Sequence, residues 1–307
     1  MNSTQRLLQT PYSFQSYGFR PIVRYLLVEH SEVFLSNLRA LGLTPDELLL
    51  GKRTLNASEQ QQLWGLAIGL RQSDPLIAFR SALLHDIHDS GLVGALARSC
   101  QNMQELFDLH QSYLHKLDSE GVRSQVDFQS SSVSLFFPAF LQAPSFVQEY
   151  AVAATWVAET QLSSEVKKHV EALELPGSSA ERGLNPQHFQ FIEKAYGPVL
   201  KLNEKRVAIR FSRSVSEVGF PTADPGLKQL LLKKLRIQIG ETLSDDTEEL
   251  RSQVFTAIWD LHQNQKGATL ESIADYLGTN SKKLSYAMRT HGISLQRLKE
   301  LVGQKGE

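Results

Sequence analysis

The stretch from Leu270 to Leu298, LESIADYLGTNSKKLSYAMRTHGISLQRL, constrains this chain more than any other. Leu270, Ile273, Ala274 and Leu277 recur at three- and four-residue spacing, which places them on one face of a helix. Gly278 follows where a helix-ending left-handed glycine belongs. Asn280 can cap a second helix, whose buried face comes from Leu284 and Met288. Two short helices, a tight turn and the start of a third form the pattern of a helix-turn-helix, whose second helix lies in the DNA major groove.

The charge balance limits how such an element works. The 307 residues carry a net charge of −1 and a pI near 6.8. No global field draws in nucleic acid, so any affinity has to come from a local patch. Residues 268–307 supply a modest one: Lys282, Lys283, Arg289, Arg297, Lys299 and Lys305 against Glu271, Asp275, Glu300 and Glu307. Hydrophobic residues make up 41% and charged residues 21%, enough apolar material for a sizeable core. No apolar run reaches membrane-spanning length, and the N-terminus lacks the apolar region of a signal peptide. The single cysteine, Cys100, excludes an internal disulfide. A cytoplasmic protein with no membrane contact is the expectation.

Upstream, the spacing predicts an α+β, mainly helical chain. Residues 1–18 form a polar leader. Helical spacing runs from Pro21 to Leu43, with a break at His30-Ser31. Gly42 ends that helix, and Thr44 with Glu47 reads as a capping box for the next. Further helices are expected over Ser58–Gln72, capped by Ser58 with Gln61, over Pro75–Asp89, and over Ser90–His115 in two pieces with Leu92, Leu96, Met103, Leu106 and Leu109 facing inward. The period then changes to two: Val126 and Phe128, then Val133, Leu135 and Phe137, predict a β-hairpin. A helix over Phe146–Leu162 follows, then a short strand in HVEALELP and a flexible loop. Next come a helix over Pro186–Tyr196 ended by Gly197 and strands in VLKLN and VAIRFS. Leu227, Leu230, Leu231, Leu235 and Ile239 form an apolar stripe that is either core or a dimer face. Leu250, Val254, Ile258 and Leu261 lie in helical register over Thr242–Gln263. No internal repeat is visible.

This pattern resembles the AraC/XylS transcription regulators with an arabinose-binding-type, largely helical N-terminal effector domain. Three stretches carry the resemblance: LRALGLTPDELL, then DPLIAFRSALLHDIHDSGLVGALARSCQNMQELFDLHQSYL, and HFQFIEKAYGPVLKLNEKRVAIRFSRSVSEVGFPTADPGLKQLL. It covers residues 20–302. It implies a leader (1–18), an effector-binding domain (19–225), linker and dimerisation helices (226–265) and a helix-turn-helix (266–307). The implied partners are promoter DNA, a small-molecule effector and a second copy of the chain, with no cofactor and no enzymatic activity. Family members carry two helix-turn-helix units joined by a long helix. This sequence stops at Glu307, inside the region of that helix, so the expectation is of a first unit alone. Such a unit is expected to bind towards the nonspecific range of roughly 10⁻⁴–10⁻⁶ M, with avidity from dimerisation recovering part of the loss. An effector-binding or dimerising module without independent DNA binding is the alternative.

Carried over residue by residue, the resemblance places Asn280 at the N-cap and Ser281 at the start of the recognition helix. Lys282, Ser285 and Tyr286 fall at base-facing positions, and Lys283 and Arg289 near phosphates. Lysine can donate to guanine and serine can donate or accept. Tyr286 and Ala287 stand where arginines are common in the family, so the helix is less basic than usual. For the effector, Arg80, Arg206 and Arg210 are candidates at the mouth of the family's ligand site, suited to a carboxylate or phosphate. One enzyme-like string competes. His85, His88 and Asp89 have metal-ligand chemistry at helical spacing, similar to the HD pair of metal phosphohydrolases. That family needs further ligands on separate helices, and a polar helix end beside Gly91 is the plainer reading. No Walker loop, GxGxxG or GxSxG occurs.

Overall fold

The computed structural model describes residues 19–50, 55–113, 124–238, 247–264 and 267–303. The leader at 1–18, and Ile239 of the apolar stripe, lie outside these. The architecture is α+β and mainly helical, with one five-stranded sheet and an all-helical C-terminal part. The chain divides into two compact units, Met1–Lys228 and Gln229–Glu307.

In the first unit, α1 (Arg20–Glu29) and α2 (Ser31–Ala40) meet at His30. Gly42 then turns the chain at a φ of 64°, and α3 (Pro45–Leu49) starts from a complete Thr44–Glu47 capping box. The next helix, α4 (Ala57–Leu70), begins two residues earlier than the spacing predicts. Its cap is Asn56 with Glu59 at the third position, not Ser58 with Gln61. Asparagine reaches the backbone amide at 3.0 Å and is at least as good a cap as serine. The helix expected over Pro75–Asp89 is also corrected. Only α5 (Ile77–Ala82) is α-helical, and the chain turns into a separate 3-10 segment at Ile87–Ser90.

Two helices, α6 (Gly91–Ser99) and α7 (Met103–Ser112), lead to the sheet. Leu96, Met103, Leu106 and Leu109 are buried as expected, whereas Leu92 is only partly so. The hairpin forms from β1 (Gln125–Phe128) and β2 (Ser132–Phe136). Helix α8 (Ser145–Leu162) is followed by β3 (Val170–Glu174), α9 (Pro186–Tyr196), β4 (Leu200–Lys201) and β5 (Ala208–Ser212). The strand order is β1-β2-β5-β3-β4, antiparallel except for β3 with β4. Val133 opposite Phe211 and Leu135 opposite Ile209 put the apolar residues of neighbouring strands on one face. Helix α8 packs on α5, β3 and β5. A buried cluster holds the loop after β3 to α8: Glu149 accepts from Arg71 at 2.6 Å and Arg182 at 3.0 Å. With Glu149 fully buried, removing either arginine would leave a charge without compensation.

Helix α10 (Pro225–Gln238) carries the chain from one unit into the other. Of its apolar stripe, Leu235 is fully buried while Leu227 and Leu230 are 44% and 69% exposed. The second unit continues with α11 (Thr247–Gln263), α12 (Leu270–Tyr276), α13 (Ser281–Thr290) and α14 (Leu295–Gly303). Leu250, Val254, Ile258 and Leu261 of α11 form one core with Ile273, Ala274, Leu277, Leu284, Met288, Ile293, Leu298 and Val302. Burial of that shared face, rather than the propensity of such short helices, stabilises the unit. Among the described residues no helix is long and apolar enough to cross a membrane.

Candidate nucleic-acid interface

Capping and glycine chemistry set the geometry of α12 and α13. Thr269 and Ser272 form a capping box at the start of α12, a signal the sequence carries but which the hydrophobic spacing overshadows. At its end, Gly278 adopts a φ of 63°. Its amide donates to the Asp275 carbonyl at 3.1 Å, and the Thr279 amide donates to the Ala274 carbonyl at 2.9 Å. This paired closure satisfies the last carbonyls of the helix and turns the chain sharply. Asn280 then accepts from the Lys283 amide at 2.9 Å and starts α13.

Helix α13 has two chemically distinct sides. Leu284 and Met288 are buried in the core. Lys282, Lys283, Ser285, Tyr286 and Arg289 are exposed, as is Asn280, and Ser281 is half-buried. Tyr286 is 65% exposed, and the Arg289 guanidinium lies 5.9 Å from its ring centre, at the edge of cation–π range. The ion pairs among the described residues of this unit are Lys233–Glu249, Lys234–Asp260 and Arg251–Glu248. None includes Lys282, Lys283 or Arg289. The seven residues singled out from sequence therefore lie together on one helix and its cap, with their cations free of carboxylates among the described residues. After α13, Gly292 closes the helix at a φ of 63°, and the Thr247 hydroxyl lies 2.9 Å from His291 Nδ1.

The three candidate effector arginines sit elsewhere, in the first unit, and each meets a carboxylate. Arg80 lies 3.3 Å from Asp74, which also accepts from the Tyr25 hydroxyl at 2.6 Å. Burial pushes the Tyr25 phenol up to about 12, and the bond to Asp74 adds to it. Arg206 donates to Glu174 at 2.6 Å and to Ser134 at 3.0 Å. Arg210 lies 2.6 Å from the other oxygen of Glu174. Arg206 and Arg210 thus share one buried carboxylate, whereas Arg80 belongs to a separate cluster.

The string at 85–89 forms no metal centre. His85 Nε2 lies 3.3 Å from the Ser90 hydroxyl, and burial lowers the His85 pKa. His88 Nε2 lies 2.6 Å from Arg98. Asp89 accepts from Arg24 at 2.6 and 2.9 Å and from the Asp86 amide at 2.9 Å. The three side chains have separate protein partners, and Asp86 with Asp89 caps a 3-10 turn. Among the described residues no cluster of three His, Cys, Asp or Glu side chains suits a metal ion. Cys100 is fully buried, and burial pushes its thiol up to about 12, which removes it as a nucleophile.

No protein-family model matches the chain, and no curated protein sequence matches it. Among solved structures it is similar to the crystal structure of the transcriptional regulator CdpR from Pseudomonas aeruginosa. The identity is 15% and the TM-score 0.50, over 93% of this chain and 82% of that chain. At that identity the likeness is one of fold: a mainly helical α+β body and an all-helical unit within one chain.

Proposed function

We propose that this chain is a DNA-binding transcription regulator of the AraC/XylS type, in which the first unit senses a small effector, dimerises, or both, and controls the helix-turn-helix. The observation that carries this reading is the division of α13 between an apolar side locked into the core and an outward side of Lys282, Lys283, Ser285, Tyr286 and Arg289. A helix that only completed a bundle would have no need to concentrate unpaired cations beside an exposed tyrosine. Basic side chains fix the element on phosphates, while serine, tyrosine and lysine are suited to base edges. The solved neighbour, a transcriptional regulator by name, supports the same direction.

On this reading an effector that prefers one arrangement of the first unit shifts the population of DNA-competent molecules. An anionic effector would compete with Glu174 for Arg206 and Arg210, or with Asp74 for Arg80. The exposed Leu227 and Leu230 of α10 fit a dimer contact. A second reading, an effector-binding or dimerising module without its own DNA affinity, is motivated by the small charge excess of residues 268–307.

Fluorescence anisotropy on duplexes selected from a random library, read across a salt series, separates the two. The regulator reading expects binding that weakens with salt and a drop in affinity for Lys282→Ala combined with Lys283→Ala. Two lost phosphate contacts would lower the salt slope by about 2. Absence of binding to any duplex at low salt sinks it and leaves the second reading.

A further inference from the structure

Asp260 lies on α11, on the scaffold rather than on the helix-turn-helix. Its Oδ2 takes two donors from two other helices. Lys234 Nζ of α10 approaches to 2.6 Å, and the Tyr276 hydroxyl of α12 donates to the same oxygen. Tyr276 is the last residue of α12, one turn-residue short of the Gly278 corner that aims α13. Burial, followed by the bond to Asp260, raises the Tyr276 pKa, so its hydroxyl remains a donor. Around this hub, Leu235 is fully buried and Lys233 lies 3.8 Å from Glu249, which seats the second half of α10 on α11. The first turn of α10 belongs to the other unit, where Lys228 pairs with Glu105 at 2.7 Å.

We propose that Lys234, Asp260 and Tyr276 are positioning residues: through one shared carboxylate oxygen they tie the α12–α13 corner to α10, the helix by which the chain enters from the first unit. Two donors on one charged acceptor strengthen the arrangement jointly. Removing Lys234 leaves Asp260 less firmly oriented, and the change reaches the corner through Tyr276. This gives the coupling a defined physical element rather than a path inferred from distance. The identity of what is positioned rests on the DNA-reading role proposed above.

The test uses the full chain with Lys234→Gln, Tyr276→Phe, their double variant and Lys234→Arg. Amide hydrogen exchange over residues 274–284 reports the corner directly, and anisotropy on a selected duplex reports reading. Lys234→Gln is expected to speed exchange there and to weaken DNA binding about two- to fivefold. Its salt slope should be unchanged, because no phosphate contact is lost. Lys234→Arg should restore both. The double variant should be no worse than Tyr276→Phe alone, since both act through Asp260. Unchanged corner exchange in Lys234→Gln, or fully additive effects in the double variant, overturns the proposal. Should the unsubstituted chain bind no DNA while the exchange results hold, the regulator reading falls and the positioning role stands.

Discussion

The two units contain the same corner. In the first, α2 ends at Gly42 and α3 follows; in the second, α13 ends at Gly292 and α14 follows. Phe34, Leu38, Leu43 and Leu48 are buried in one, and Leu284, Met288, Ile293 and Leu298 at the same spacing in the other. Both glycines are left-handed, at 64° and 63°. The closing bonds match as well: Leu43 donates to the Leu38 carbonyl at 2.9 Å and Ile293 to the Met288 carbonyl at 2.8 Å. The outward sides differ. The first presents Glu32, Val33, Ser36, Asn37 and Arg39, with Asn37 and Arg39 turned onto their own helix backbone at 2.8 and 3.2 Å. The second presents Lys282, Lys283, Ser285, Tyr286 and Arg289. Their entries differ too, since α1 meets α2 at His30 alone, whereas a four-residue turn at 277–280 separates α12 from α13. A shared backbone corner therefore defines no function; the exposed chemistry and the preceding turn distinguish a packing element from a candidate reader.

The comparison breaks first at its cores. Phe34→Ala should destabilise the first unit by about 3–5 kcal/mol and Leu284→Ala the second by about 2–5 kcal/mol. Hydrogen exchange resolved by segment should show each loss mainly in its own unit. Equal loosening of both units by either variant would mean that they do not fold as separate bodies.

The glycines come next. An added Cβ meets nothing within 4 Å at Gly42 or Gly292, so the penalty at both is conformational, about 1–2 kcal/mol for alanine. Chemical denaturation should give matched values, and a neutral result at one site would show that the corners are not equivalent. The caps are expected to part company. Thr44 makes a full capping box, with its amide 2.8 Å from Glu47, so Thr44→Ala should cost about 0.5–2 kcal/mol. Ser294 only accepts from the Arg297 amide at 3.4 Å, and Ser294→Ala should cost less. The same denaturation series decides it, and a larger loss at Ser294 would reverse the ranking.

The smallest effect on stability is the most informative for function. Arg39 and Arg289 occupy matching positions, and alanine at either should change stability by no more than about 0.5 kcal/mol. Only Arg289→Ala should weaken DNA binding and lower the salt slope by about 1. An equal loss of affinity from Arg39→Ala would remove the distinction between the two corners.

Much of this architecture was legible from spacing. The break at His30, the Thr44 box, the hairpin, the long α8 and the corner at Gly278 each carry a local signal: a periodicity, a cap or a glycine. Where competing caps stand close together, as Asn56 and Ser58 do, only the chain's path selects one. The expected helix over Pro75–Asp89 stops at Ala82 because Asp86 and Asp89 satisfy a separate turn and Arg24 of α1 draws Asp89 inward. The recurrence of the corner was invisible as a repeat. It is encoded in burial and backbone conformation, with few identical residues between the copies.

The candidate interface was legible for a similar reason. Its residues are contiguous, and helix geometry alone separates Leu284 and Met288 from Lys282, Lys283, Ser285, Tyr286 and Arg289. The arginines of the first unit were legible only as types. Whether Arg206 and Arg210 stand near each other depends on strand order, and it is the β2-β5-β3 pairing that brings both to Glu174. The Lys234–Asp260–Tyr276 hub was not readable at all, since three helices must pack before one oxygen can take two donors. Sequence by itself determined the helices, their caps and the outward chemistry of α13, because these depend on neighbours along the chain. Tertiary structure decided which distant charges meet, because ion pairing depends on a few ångströms that only long-range packing sets.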